Sequence, residues 1–211
     1  MFFVKSVYNR SRFAKGGILT KTFGTYMLLC IAGAIVMRFV VKSSDITVFS
    51  LIILVVVFFR NYGNPLANET SLQFIYLVPE KASSKLMYAM LAGTYDTVLD
   101  LVPAFVIFCA VVGAAPLEAL VWVLLFITLD FFASATGLFI EMVIPESVVP
   151  AIRAMMQMLL KILAVFPGIV ILALGAIWGY FIYAILICCG INVVIGLILF
   201  AFCPRLLHRG R

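Results

Sequence analysis

The stretch that decides the fold lies near the C-terminus and reads IWGYFIYAILICCGINVVIGLILFAF, residues 177–202. It contains no Asp, Glu, Lys or Arg. A helix needs about 20 predominantly apolar residues to cross the hydrocarbon core of a bilayer, so this stretch is long enough to span a membrane. Of the 211 residues in the chain, 65% are hydrophobic and 11% are charged, whereas soluble proteins carry about 25% charged residues. The composition therefore indicates an integral membrane protein and excludes a soluble enzyme.

Working outward from this stretch, five more hydrophobic segments precede it, at about residues 23–41, 46–59, 87–113, 117–144 and 151–175. The second is short, but residues 43–62 would reach about 30 Å as a helix. We therefore predict an all-α integral membrane protein with six transmembrane helices in residues 23–203. The sixth is expected to stop at Pro204, the first two to form an antiparallel hairpin, and Pro167 to kink the fifth.

The distribution of basic residues predicts the orientation. If the N-terminus is cytoplasmic, twelve of the 15 Lys and Arg residues lie on the inner side, two lie outside (Arg38 and Lys42), and Lys161 falls within a span. Lys and Arg accumulate on the cytoplasmic side of membrane proteins. We expect a multi-pass protein of a bacterial cell membrane with both termini cytoplasmic, and we attribute the net charge of +6 to topology rather than to nucleic-acid binding.

The two ends of the chain are basic. Residues 1–22 mix apolar side chains with five Lys and Arg residues, which is typical of an amphipathic elbow helix at the cytoplasmic face. A disordered basic leader is the alternative. Residues 204–211 are expected to form a basic cytoplasmic tail.

The longest connection, residues 60–86, is predicted to be cytoplasmic. Asn64 can cap a helix that Pro65 begins, and Pro79 can begin the helix that leads into the third span. A short amphipathic helix between them would offer its apolar face either to a partner protein or to lipid. The residues alone favour neither the partner protein nor lipid as the contact of this face.

The end of this connection, residues 76–86, reads YLVPEKASSKL. It resembles the L-x-P-[polar/basic]-x-x-x-[KR]-L passage before span three in permease subunits of type-2 ATP-binding-cassette exporters, including the putative ABC exporter family. The basic elbow, the six spans and the short outer loops are also similar to those of this family. The similarity covers essentially the whole chain. The resemblance implies a coupling helix that contacts an ATPase, with these residues at the contact: Asn64, Pro65, Leu66, Glu69, Leu72, Phe74, Ile75, Tyr76, Pro79, Lys81 and Lys85.

The resemblance also implies partners and cofactors. The sequence contains no G-x-x-x-x-G-K-[ST] phosphate loop, so ATP and Mg are expected on separate ATPase subunits and no cofactor on this chain. A second permease, identical or related, is expected beside this one in the lipid membrane. Many relatives have a larger outer segment between spans five and six, whereas residues 175–179 leave little room for one.

Polar residues inside the spans are the remaining candidates for a site. Asp96 and Asp100 share a face of span three, and Arg153, Gln157 and Lys161 form a stripe on span five. We predict that the acidic face meets the basic stripe, because ionisable groups in hydrocarbon usually face inward and pair. Simple structural pairing, exposure at the interface and a transport pathway all fit this pattern. Further intramembrane candidates are Asp130 and Asn192.

The sequence offers little for other chemistry. Five cysteines in apolar stretches and a single histidine, His208, predict no metal site and no catalytic residues. The leading hypothesis is a permease that exports an amphipathic or apolar compound, such as a peptide, lipid or drug, by alternating access coupled to a separate ATPase. The alternatives are the substrate-binding membrane subunit of an energy-coupling importer, an intramembrane enzyme and a scaffold.

Overall fold

The computed structural model describes residues 21–60, 81–143 and 149–209, and these residues form helices joined by short connections. Residues 1–20 of the predicted elbow helix and most of the predicted coupling segment lie outside these ranges. The helices, in chain order, are α1 (Lys21–Ile35, continued by a π-helical segment, Val36–Val41), α2 (Thr47–Arg60), α3 (Ala82–Val112), α4 (Pro116–Val143), α5 (Pro150–Ile177) and α6 (Phe181–Arg209).

Five of these helices are long and apolar enough to cross a membrane: α1 and α3 to α6. The apolar part of α2, Thr47–Phe58, is shorter and spans only about 18 Å at 1.5 Å per residue, against a hydrocarbon core of about 30 Å. The predicted all-helical membrane fold is confirmed, whereas the sixth span is not. The expected helix over residues 43–62 begins only at Thr47, because residues 42–46 form the connection from α1.

The prolines act differently from one another. Pro116 and Pro150 are the first residues of α4 and α5, where a missing N–H costs nothing. The membrane-spanning part of α6, Phe181–Cys203, ends immediately before Pro204 as predicted, whereas the helix itself continues through Pro204 to Arg209. A helix tolerates an internal proline where its neighbours satisfy the freed backbone group. The connection between α5 and α6 contains no proline. It consists of residues 178–180, where Gly179 has a φ of 75°.

The core is built around α4, which packs against α2, α3, α5 and α6, while α1 packs on α3. Its larger part is aromatic. Phe49 of α2 stacks on Phe108 of α3 at 4.0 Å between ring centroids, and Phe105 meets Phe126 edge-on at 5.2 Å. We call the end of the bundle where Gly113 joins α3 to α4 the Gly113 end. The α5–α6 turn lies there too, because Trp122 contacts Phe181 at 5.9 Å.

A second, smaller hydrophobic cluster joins α3, α4 and α6 at the opposite end of the bundle, which we call the Lys81 end. Its buried members are Leu86, Met90, Ala135, Leu138, Phe200 and Cys203. On α3, all the residues between Met90 and Leu101 belong to neither cluster. Buried polar side chains occupy the gap between the two clusters.

Candidate functional site

The candidate site is this layer of buried polar side chains between the two hydrophobic clusters. Asp100 of α3, Asp130 of α4, Lys161 of α5 and Asn192 of α6 are each no more than 4% exposed. Counted along their helices, they lie about 17–24 Å from the Gly113 end. The four residues therefore share one level, well inside a hydrocarbon core about 30 Å thick.

Asp130 is at the centre of this layer. Thr97 of α3 donates a hydrogen bond from its Oγ1 to Asp130 Oδ1 at 3.0 Å. The Lys161 ammonium interacts electrostatically with the same carboxylate. One side chain of α4 thus connects α3 on one side with α5 on the other.

The predicted pairing between the acidic face of span three and the basic stripe of span five stays a prediction, because the side chains of Arg153 and Gln157 lie outside the described part. For Lys161, the acid that acts on its charge is Asp130 of span four. The reason lies in the packing, because α5 packs mainly against α4 and α6 rather than against α3. Asp100 accepts a hydrogen bond of 2.8 Å from Thr22 Oγ1, at the start of α1. Asp96 lies half-buried one turn earlier on α3.

Asn192 brings α6 into the layer. It is 3% exposed, and its Nδ2 has no hydrogen-bond partner among the described residues. All five cysteines are buried and free, and the described residues hold no cluster of three or more potential metal ligands.

The remaining predicted site residues are described only in part. Lys81 lies exposed immediately before α3, in an extended conformation. Lys85 on α3 and Arg153 and Gln157 on α5 have helical backbones, and their side chains fall outside the described part. So do all the predicted coupling residues in 61–80: Asn64, Pro65, Leu66, Glu69, Leu72, Phe74, Ile75, Tyr76 and Pro79.

The threonines of the layer were missed by the sequence reasoning. Thr22 and Thr97 each donate a hydrogen bond to a buried carboxylate. A threonine in a membrane helix does not by itself indicate a site, because its hydroxyl can bond to its own backbone. The sequence does contain a pattern that indicates the role of Thr97, since Thr97 lies one turn before Asp100 and one residue after Asp96. A hydroxyl that close to intramembrane acids is a natural donor for a neighbouring helix.

Long apolar helices around a buried polar layer define the class first: this is a multi-pass α-helical membrane protein. The model of the family described as "Putative ABC exporter" matches residues 3–209, nearly the whole chain. The chain belongs to this family, which makes it a membrane component of an ABC transport system and implies association with ATPase components. Neither the curated proteins nor the solved structures contain a match.

Proposed function

We propose that the chain is the permease subunit of an ATP-driven exporter of an amphipathic or apolar compound, such as a peptide, lipid or drug. The observation that carries this proposal is the family match over residues 3–209. A separate ATPase chain binds ATP and Mg and supplies the energy. Both termini and the 60–86 segment face the cytoplasm, and two permeases, identical or related, face each other in the membrane.

The segment before α3 is the proposed contact with the ATPase. Lys81 is exposed at the start of α3, the helix that carries Thr97 and Asp100. A helix transmits an axial displacement along its length, because its backbone is tied by hydrogen bonds at every turn. Movement imposed at Lys81 would therefore reach the polar layer about 24 Å further along.

The polar layer then couples the helices to one another. Thr97 connects α3 to Asp130, and Asp130 connects α4 to Lys161 of α5. Small sliding of packed helices is a common way to open one side of a membrane protein and close the other. In this proposal, closure of the ATPase dimer shifts α3 and the Thr97–Asp130–Lys161 chain moves α4 and α5 with it.

The test is ATP hydrolysis by an ATP-binding-cassette ATPase that co-purifies with this chain, with the two reconstituted together in lipid vesicles. We expect hydrolysis to depend on the presence of the permease. Lys81→Glu should weaken the complex, whereas Lys42→Glu, an equally exposed position next to α1, should not. ATP-independent activity of the isolated chain would contradict the proposal, and tight binding of one small vitamin-like ligand would support the importer instead.

A further inference from the structure

An apolar groove runs between α4 and α5, with a volume of about 340 Å³. That volume is within the range of about 300–1,000 Å³ found for small-molecule pockets. Leu159 and Leu163 on its wall are 56% and 71% exposed, so the groove opens to the outside of the bundle. Its lining is entirely apolar and consists of Phe139, Ile140, Val143, Met156, Leu159, Leu160 and Leu163.

The groove is separate from the polar layer. On α4 it begins nine residues after Asp130, about 14 Å closer to the Lys81 end. On α5 the two sites use different faces, because Lys161 is buried against α4 while Leu163 is exposed. The groove is therefore a surface that a hydrocarbon chain can enter without meeting the buried charges.

The Lys81 end, where the groove finishes, is basic. Arg153 precedes Met156 by three residues on α5, about one helical turn nearer that end. Glu141 of α4 is the acidic residue of the described helices at this level. It is outnumbered by the basic residues there: Lys81, Lys85, Arg153, Arg205 and Arg209. Two copies of this chain meeting at the groove would bring like charges together, whereas an anion would be attracted.

We propose that the groove binds one hydrocarbon chain of an anionic phospholipid from the cytoplasmic leaflet, with the phosphate at the level of Arg153. An anionic amphiphile with a hydrocarbon tail is then the class of compound that the exporter takes up. Binding itself is argued from the groove and the charges, while the choice of the cytoplasmic leaflet and the role as cargo rest on the proposed function. Because the groove opens to lipid, binding depends on packing of the chain against the groove walls and on attraction of the anion to the basic end, rather than on removal of the chain from water.

The test uses the full chain in vesicles of phosphatidylcholine and phosphatidylglycerol, without ATP or an ATPase. A trace of phosphatidylglycerol carries a photoactivatable acyl chain, and labelled peptides are located by mass spectrometry. We expect the label on residues 139–143 and 156–163. A matched phosphatidylcholine probe should give at least about tenfold less label at these sites.

Three variants make the test specific. Leu160→Trp fills the groove and should reduce labelling about tenfold. Val170→Trp, a 41% exposed position on the same helix outside the groove, should leave it unchanged. Arg153→Gln should bring the phosphatidylglycerol and phosphatidylcholine probes to equal labelling, and it remains informative if Leu160→Trp does not fold.

Each other outcome overturns the proposal. Even labelling along α5, including residue 170, would mean ordinary boundary lipid, and equal labelling by both probes of the wild type would rule out an anionic ligand. If the groove peptides carry no lipid label and are instead cross-linked to another copy of the chain, the groove is an interface between two copies. Because no ATP is present, groove labelling and association with an ATPase can each fail without the other.

Discussion

At the scale of single residues, Lys161 depends on Asp130. Lys161 is 4% exposed and Asp130 is 1% exposed, so both charges are removed from solvent and each offsets the cost of burying the other. An unpaired charge in a low-dielectric interior is far less favourable than a neutral side chain of similar size. The pair therefore constrains how α4 and α5 can sit against each other.

We predict that Lys161→Met destabilises the protein by about 3–5 kcal/mol, because it leaves Asp130 buried without its counter-charge. Adding Asp130→Asn should recover most of this loss. The measurement is the free energy of unfolding in detergent, arranged as a double-mutant cycle.

The matched control for this cycle is Asp100→Asn in the Lys161→Met background. Asp100 is bound by Thr22 of α1, so its substitution should add to the cost of Lys161→Met and recover nothing. Equal recovery from Asp100→Asn and Asp130→Asn would show that Lys161 has been assigned the wrong partner.

Thr97 supplies the other interaction of Asp130. Thr97→Val keeps the shape of the side chain and removes the donor, which should cost about 1.5–3 kcal/mol because the bond is made to a charged group. Thr94→Val is the control, since that hydroxyl bonds only weakly to the Met90 carbonyl of its own helix, at 3.4 Å. The same unfolding assay applies, and similar losses in the two variants would argue against an important Thr97–Asp130 bond.

At the scale of helices, Gly33 sets the approach of α2 to α1. A Cβ at this position would overlap the ring of Phe49, which is itself stacked on Phe108. The ring has little freedom to move aside because its other face is occupied. Close packing of α2 against the rest of the bundle therefore requires glycine at residue 33.

Gly33→Ala should therefore destabilise the protein by about 1–3 kcal/mol through overpacking. Gly24→Ala is the matched control on the same helix, because nothing lies within 4 Å of its added Cβ. That change should be neutral or slightly stabilising, since alanine favours helix by about 1 kcal/mol over glycine. Thermal unfolding compares the two, and equal midpoints would mean that Phe49 rearranges freely.

The sequence predicts the long helices well and the details of their ends and contacts less well. Hydrophobic length alone locates α3, α4 and α5 to within a few residues, because crossing a bilayer requires it. Pro204 marks the end of the apolar span but not the end of the helix, because the preference of proline for helix ends is weaker where neighbouring helices support the backbone. The partner of Lys161 is not predictable from spacing, since Asp100 and Asp130 are both acids in adjacent spans and only the packing of α5 distinguishes them.

At the scale of the whole molecule, the course of α2 determines the number of spans and the side of the membrane on which residues 60–86 lie. Ser44 and Lys81 are both exposed and lie on either side of α2 along the chain. The natural cysteines are buried, so an added cysteine can be labelled selectively. With six spans, an impermeant maleimide should label Ser44→Cys in intact cells and Lys81→Cys only after permeabilisation. Labelling of both from the same side would show that α2 does not cross.

The central claim is that this chain works as the membrane subunit of an ATP-driven exporter. The most direct measurement is the intact mass of the complex that it forms when extracted from native membranes into lipid nanodiscs. We predict a species that contains this 23.3 kDa chain together with an ATPase subunit bearing a phosphate-binding loop. A chain recovered only alone, or only with copies of itself, would contradict the claim.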